Sequence, residues 1–288
     1  PVDVAPSVGP AVPPGVPRSM ALVKFSDIAR PANQVLYDDF HFRGHILKVV
    51  QKMPWAGAGS ALTTQVDFFS SRACATLAKV AWKLPAPFAG TAVSIDSSGV
   101  RRIDMLATKR LPDLQLQLRS DLADPRKTAL TCSYIGIREV LLRLEARGGS
   151  TKDLVGEVTH SMPSATVGAK FSSRTGAPDF GLRCQYGPLI CALLTRDGLK
   201  ASTASVCCSL NPDVKLAGAY THAPRQKAGN TYVVAASYKG LYKLRLSQDS
   251  AISCSMKYSL SRGMRVVAGL RLNARTGDWS YGVQLSVD

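Results

Sequence analysis

The side chains that could do chemistry are sparse and do not converge. Four histidines, His41, His45, His160 and His222, are spread along the chain. His41 and His45 are spaced to share one strand face, yet no further ligand-type residue stands near them. His160 and Ser161 are adjacent, so in a strand they point to opposite faces and do not form a base–nucleophile pair. Seven cysteines, at 74, 132, 184, 191, 207, 208 and 254, contain no C-x-x-C pair. An odd, scattered set fits neither a disulfide framework nor a zinc site; Cys132 and Cys184 lie among alternating apolar residues and read as small hydrophobes. No Gly-rich phosphate loop follows a strand and opens a helix. The expectation is no catalytic residue, no metal and no cofactor, hence not an enzyme.

What remains is charge. The 288 residues hold 36 Lys and Arg against 20 Asp and Glu, a net charge of +16. Such a field favours anionic partners. The cations fall singly, often at every second residue, rather than in the runs or helix faces of nucleic-acid binders, so nucleic acid is not expected. Lys79, Lys83, Arg119, Arg143, Arg147, Arg183, Lys243, Arg245, Arg265 and Arg271 each stand opposite an apolar set in a strand-like segment. Arg30 stands on a helical one. If they face a water-filled lumen, they lower the barrier for anions and raise it for cations.

The elements that position these cations are strands. Leu114, Leu116 and Leu118 oppose Gln115, Gln117 and Arg119; Val140, Leu142, Leu144 and Ala146 oppose Leu141, Arg143, Glu145 and Arg147. Phe180–Tyr186, Tyr242–Leu246 and Met264–Asn273 repeat the pattern, a period of two that sorts side chains to opposite faces. In Trp279–Val287 the alternation is strict, with Ser280, Gly282, Gln284 and Ser286 on one side. Turn signals such as Arg174-Thr-Gly176 and Arg196-Asp-Gly198 divide the chain into about nineteen segments of about eight to ten residues, a length suited to tilted membrane strands. No run is long and apolar enough for a membrane helix; Met53 to Val66 is among the longest uncharged stretches. Trp55, Trp82, Tyr134, Tyr186, Tyr242 and Trp279 sit near segment ends, as interface girdles do. Residues 1–23 form a Pro-rich leader, 24–40 hold a helix over Ser26–Phe40 with Ser26 as N-cap and Asp27 in the first turn, and 41–288 form the sheet. Ile28, Ala32, Val35, Leu36 and Phe40 make the apolar stripe of that helix. The fold expected is all-β: a transmembrane barrel of about nineteen strands with the helix inside.

Two segments carry a family resemblance. Phe25, Asp27, Ile28, Arg30, Asn33, Leu36, Asp39 and Phe40 occupy the pattern of the N-terminal helix of the voltage-dependent anion channels, the mitochondrial porins. Ser280, Gly282, Leu285 and Val287 match the polar-x-Gly-x-x-hydrophobic-x-hydrophobic signal that ends mitochondrial outer-membrane barrels. Leu111 to Arg147 is similar to the family's central strands in spacing. Departures exist: Asp113-Leu114-Gln115 stands where the family has Gly-Leu-Lys, and Gly198-Leu199-Lys200 lies elsewhere in the strand series. The leader is also additional. Phe42-Arg-Gly-His45 resembles the related import pore of the outer-membrane translocase.

The resemblance implies a mitochondrial outer-membrane channel for passive, weakly anion-favouring diffusion of ions and metabolites, nucleotides included. The implied partners are membrane lipid, small anions and nucleotides as permeants, the outer-membrane barrel assembly machinery, and a homo-oligomer or larger membrane complex. A protein-conducting import pore, a scaffold barrel and a basic soluble all-β binding protein stay open as alternatives. Lys243, Arg245, Arg265 and Arg271 are expected to form one cationic patch on neighbouring strands, with Leu244 and Leu246 facing lipid.

Overall fold

Strict alternation of apolar with small or charged residues produces an unbroken antiparallel meander that closes on itself. The computed structural model describes residues 22–42, 44–53, 60–68, 78–84, 91–97, 101–107, 113–122, 124, 126, 128–148, 153–224 and 229–288. The leader up to residue 21, Trp55 and Cys74 lie outside the described residues. The first strands are β1 (His45–Lys52), β2 (Ala61–Asp67), β3 (Ala78–Lys83), β4 (Ala92–Asp96), β5 (Arg101–Ala107) and β6 (Leu114–Asp121). There follow β7 (Ala129–Tyr134), β8 (Val140–Arg147), β9 (Leu154–Ser161), β10 (Ala165–Ser172), β11 (Pro178–Tyr186) and β12 (Leu189–Arg196). The last are β13 (Ala201–Ser209), β14 (Val214–His222), β15 (Thr231–Tyr238), β16 (Tyr242–Ser247), β17 (Ala251–Ser261), β18 (Met264–Asn273) and β19 (Trp279–Val287). They range from five residues in β4 to eleven in β17, wider than the sequence spacing suggests. Turns are short where the residues allow it: Lys239 and Gly240 both take the left-handed backbone, φ 52° and 65°, between β15 and β16.

All nineteen strands form one sheet, and β1 pairs with β19 to close it. An odd strand count forces that seam to be parallel, with Leu47 opposite Leu285 and Ile46 opposite Gln284. Ile46 and Val283 are one position out of register and face opposite sides of the wall. Leu47→Cys with Leu285→Cys should therefore crosslink under mild oxidation or with a short bifunctional reagent, read as a shift in gel mobility. Failure of that pair, with success at Ile46→Cys and Val283→Cys, would mean a slipped seam.

The register sorts every strand residue to one of two faces. The outer face carries Val80, Ile95, Leu130, Leu144, Val167, Leu182, Leu193, Leu216, Val234, Leu244, Leu246 and Leu270, all exposed. Among the described side chains of the strands it carries no Lys, Arg, Asp or Glu. A continuous apolar belt of that extent does not occur on a soluble sandwich, and it suits lipid. The basic soluble reading fails on this surface. Aromatics ring both rims. Trp82, Tyr134, Tyr186 and Tyr242 stand at the rim where β1 and β19 end, here the C-terminal rim. Phe180, Tyr232, Trp279 and Tyr281 stand at the opposite rim. Cys132, Cys184, Cys191, Cys208 and Cys254 belong to the outer face, and no described helix is long and apolar enough to cross a membrane.

The helix is shorter than its sequence suggests. A 3-10 turn, Phe25–Asp27, precedes α1, Arg30–Leu36. Ser26 lies inside the turn, and neither Lys24 nor Ala29, the two capping positions, makes a side-chain capping bond. Pro31, which lacks an N–H and fixes φ, starts α1 afresh instead of bending one long helix. The apolar stripe packs against the barrel wall: Ile28, Ala32, Val35 and Leu36 are buried, while Phe40 lies past the end of α1.

Candidate functional site: the lumen wall and the inner segment

The inner segment lies against half of the inner wall. Its 3-10 turn sits on β9 and β10, where the Thr159 hydroxyl donates to the Val23 carbonyl at 2.6 Å. Helix α1 sits on β13–β15, with Ala32, Val35 and Leu36 against Cys207, Ala217 and Ala235. Glycines and alanines stand on the wall where the segment comes closest. A Cβ on Gly181 would lie 2.6 Å from Ile28 Cδ1, and one on Gly168 would lie 3.0 Å from Phe25 Cδ2. Beyond α1, the backbone at His41 passes against Gly269 of β18 on its way to β1.

Two of the candidate cations, Lys243 and Arg245, hold this segment together with Lys257, which sequence reasoning did not single out. Lys243 Nζ pairs with Asp39 at 2.9 Å and donates to the Gln34 and Asp38 carbonyls at 2.9 and 3.1 Å. Lys257 reaches the other Asp39 oxygen at 3.5 Å. Arg245 donates to the Leu36 carbonyl at 3.3 Å, and its guanidinium lies 4.8 Å from the Phe40 ring centroid and 5.2 Å from that of Phe42. Arg271 instead pairs with Asp249 in the β16–β17 turn at 2.7 Å. The expected patch of Lys243, Arg245, Arg265 and Arg271 therefore does not exist as four free charges; Arg265 alone is left open. Burial by itself would raise the Asp39 pKa, but hydrogen bonding and charge from Lys243, then Lys257, hold it below the ordinary 3.8. The Ser247 hydroxyl bonded to Asp249, helped by Arg271, lowers the Asp249 pKa despite partial burial.

The 3-10 turn and α1 make their main contacts with β9, β10 and β13–β15, away from the wall formed by β1 to β8. Part of the inner side of that wall meets water: the Arg119 and Arg147 side chains are 54% and 56% exposed although they point into the barrel, whereas Asp67, Asp121, Thr131 and Leu141 are buried. Acids stand beside the cations here. Arg119 Nε lies 2.8 Å from Asp104, Arg147 Nε 2.6 Å from Glu145, and Arg143 3.2 and 3.6 Å from Glu145 and Glu157. Lys79 is opposite Asp96 and Arg102 opposite Asp121. Lys83 faces inward between Ala61 and Ala92. Arg183, opposite Thr166 and Ala192, lines a cavity of about 230 Å³ with Val23 and Ser161. Arg30, at the start of α1, is exposed.

His41 and His45 do not share a face. His41 belongs to the inner segment, whereas His45 opens β1 on the outer side, edge-on to Tyr281 at 5.4 Å. Among the described residues, no group of three or more His, Cys, Asp or Glu could hold a metal. Sequence reasoning missed Lys48 and Lys52, which alternate with apolar residues in β1 as the chosen cations do. It also missed the acids; Glu145 lies two residues from both Arg143 and Arg147, a same-face spacing visible in the chain. Ser280, Gly282 and Ser286 lie on the inner face of β19, with Leu285 and Val287 on the outer.

The fold and its lumen define a closed, membrane-type β-barrel with an internal N-terminal segment. No protein-family model matches the chain, and no curated protein matches it. Solved structures similar to it include a mutant of Rh. blastica porin, 13% identical at a TM-score of 0.47, covering 68% of this chain and 90% of that one. The triple mutant of Rhodopseudomonas blastica porin is 11% identical at 0.45, covering 86% and 97%. A likeness at that level is one of barrel outline, and the fold assignment rests on the closed strand register.

Proposed function

We propose that this protein is a passive diffusion channel of the mitochondrial outer membrane, weakly favouring anions and passing small anions and metabolites, nucleotides included. The observation that carries the reading is the inner wall over β1–β8, away from the main contacts of the 3-10 turn and α1, where Arg119 and Arg147 reach water in a barrel whose described inward cations outnumber its described inward acids. Charge fixed along such a path favours counter-ions. The mitochondrial setting rests on the resemblance of Phe25–Phe40 and of the final strand. Lipid covers the outer belt, barrel assembly machinery inserts the chain, and copies or other membrane proteins pack on the belt.

Planar-bilayer recording of the purified protein in a salt gradient tests this. Discrete conductance steps with a reversal potential displaced towards chloride are expected, and Leu244→Ala with Leu246→Ala should leave selectivity where it was. A protein that inserts yet never conducts would support a plugged scaffold instead.

A further inference from the structure

Four inward cations lie together at the C-terminal rim around the β19–β1 seam. Lys48 and Arg265 stand on either side of Ser286, each opposite it in register. Lys52 and Lys83 stand on either side of Ala61 in the same way. Their other register partners are Gln65, Ser259 and Ala92, none of them acidic. Among the described residues none of the four has an ion pair, in contrast to Arg119, Arg143, Arg147, Lys243 and Arg271. The chain joining β1 to β2, 53–60, and that joining β3 to β4, 84–91, contain no acid either. Beside the seam stands Asp288, whose N–H donates to the Gly263 carbonyl at 2.7 Å; Asp113, Glu139 and Asp213 share this rim but lie next to β6, β8 and β14, away from the four cations.

Spacing makes the four a unit. Cations two strands apart are separated by about 10 Å across the sheet, and those four residues apart in β1 by about 13 Å along it. Both distances are comparable with a Debye length of roughly 8 Å at physiological salt, so an anion at the mouth feels them together. Elsewhere on the open wall the cations have acids in register or at ion-pair distance, and their fields largely cancel beyond a few ångströms. The arrangement is also lopsided along the axis, since Lys52, Lys83 and Arg265 all sit at or next to strand ends on the same rim.

We infer that Lys48, Lys52, Lys83 and Arg265 form an anion-attracting mouth at the C-terminal rim, which sets the selectivity of the pore and makes its current asymmetric. This rests on the channel reading. Anions concentrate at that rim before crossing, so at equal and opposite voltages the larger current is the one that drives anions inward from it.

Modification after assembly avoids any effect on folding. In a background without native cysteines, Lys52→Cys and Lys83→Cys are assembled and recorded, then exposed from one side to a negatively charged methanethiosulfonate. Reaction from the C-terminal-rim side should cut the chloride-to-potassium permeability ratio several-fold and reverse the current asymmetry. A neutral reagent of the same size should change both far less, and so should removal of a whole ion pair by Asp104→Asn with Arg119→Gln. Absence of any current from the unmodified protein would sink the channel reading itself. A conducting barrel whose ratio and asymmetry ignore the added charges would overturn this inference alone.

Discussion

Gly168→Leu combined with Gly181→Leu should lift the inner segment off the wall and raise single-channel conductance. Both glycines lie on the inner face beneath Phe25 and Ile28, which are 6% and 0% exposed. A Cβ at 181 meets Ile28 Cδ1 at 2.6 Å and Leu194 Cδ2 at 2.9 Å, and one at 168 meets Thr159 Cγ2 at 2.9 Å. Overpacking of this kind costs about 1–3 kcal/mol per site. Seating a Phe or Ile gains about 1.5–3 kcal/mol each, so two such substitutions compete directly with the contact they disrupt. Neither touches the outer face, so the barrel should persist. The expected result is a conductance increase together with cleavage of the segment by a protease that spares it in the native channel. Gly156→Leu, where a Cβ meets nothing within 4 Å, is the control. An unchanged conductance with full protection would mean that the segment does not limit the open path.

The same docking carries a pH signature. The Asp39 carboxyl is held below its ordinary 3.8 by Lys243 and Lys257. A lowered pKa means that the stabilisation is fully present above 3.8 and lost as pH falls through the lower, docked value. Protease access to the segment should therefore rise only under acid conditions below that point, and Asp39→Asn should show the loosened behaviour at neutral pH.

Period-two alternation made the strands legible because it is written locally. Leu114 to Arg119 states which side chains share a face, and the odd strand number then dictates the parallel seam. Alternation alone leaves open which face meets lipid; that followed from placing all strands together, where the outer side proved free of described charged side chains. Partnerships across the lumen were illegible. Asp39 and Lys243 are 204 residues apart in sequence, and no local spacing marks Arg245 as the cation that stacks on Phe40 and Phe42. Cations that looked equivalent in their strands therefore split into those that hold the segment, those neutralised on the wall and the open group at the seam. Glu145 shows the intermediate case: its two-residue spacing from Arg143 and Arg147 was readable, but the second acid on Arg143, Glu157, comes from the neighbouring strand β9.

The final strand makes the sharpest test of whether a signal or simple barrel physics governs insertion. Leu285 is on the outer face, opposite Val266 on one side and Leu47 across the seam on the other. Gly282 is on the inner face, opposite Gly269, against which the backbone at His41 passes. Leu285→Arg places a charge in lipid, a cost of up to about 2–4 kcal/mol at the bilayer centre and less towards the rim. Gly282→Leu adds bulk where the inner segment descends to β1. The double variant should be synthesised normally but fail to enter isolated mitochondria, leaving it protease-sensitive outside. Val266→Arg separates the two explanations, because it puts the same charge on the same face at the same register level, one strand away from the signal. If Leu285→Arg blocks insertion while Val266→Arg permits it, the residues at 280, 282, 285 and 287 are read by the assembly machinery. Equal failure of the two would assign the effect to the lipid face, and normal insertion of the double variant would reduce the C-terminal match to strand patterning.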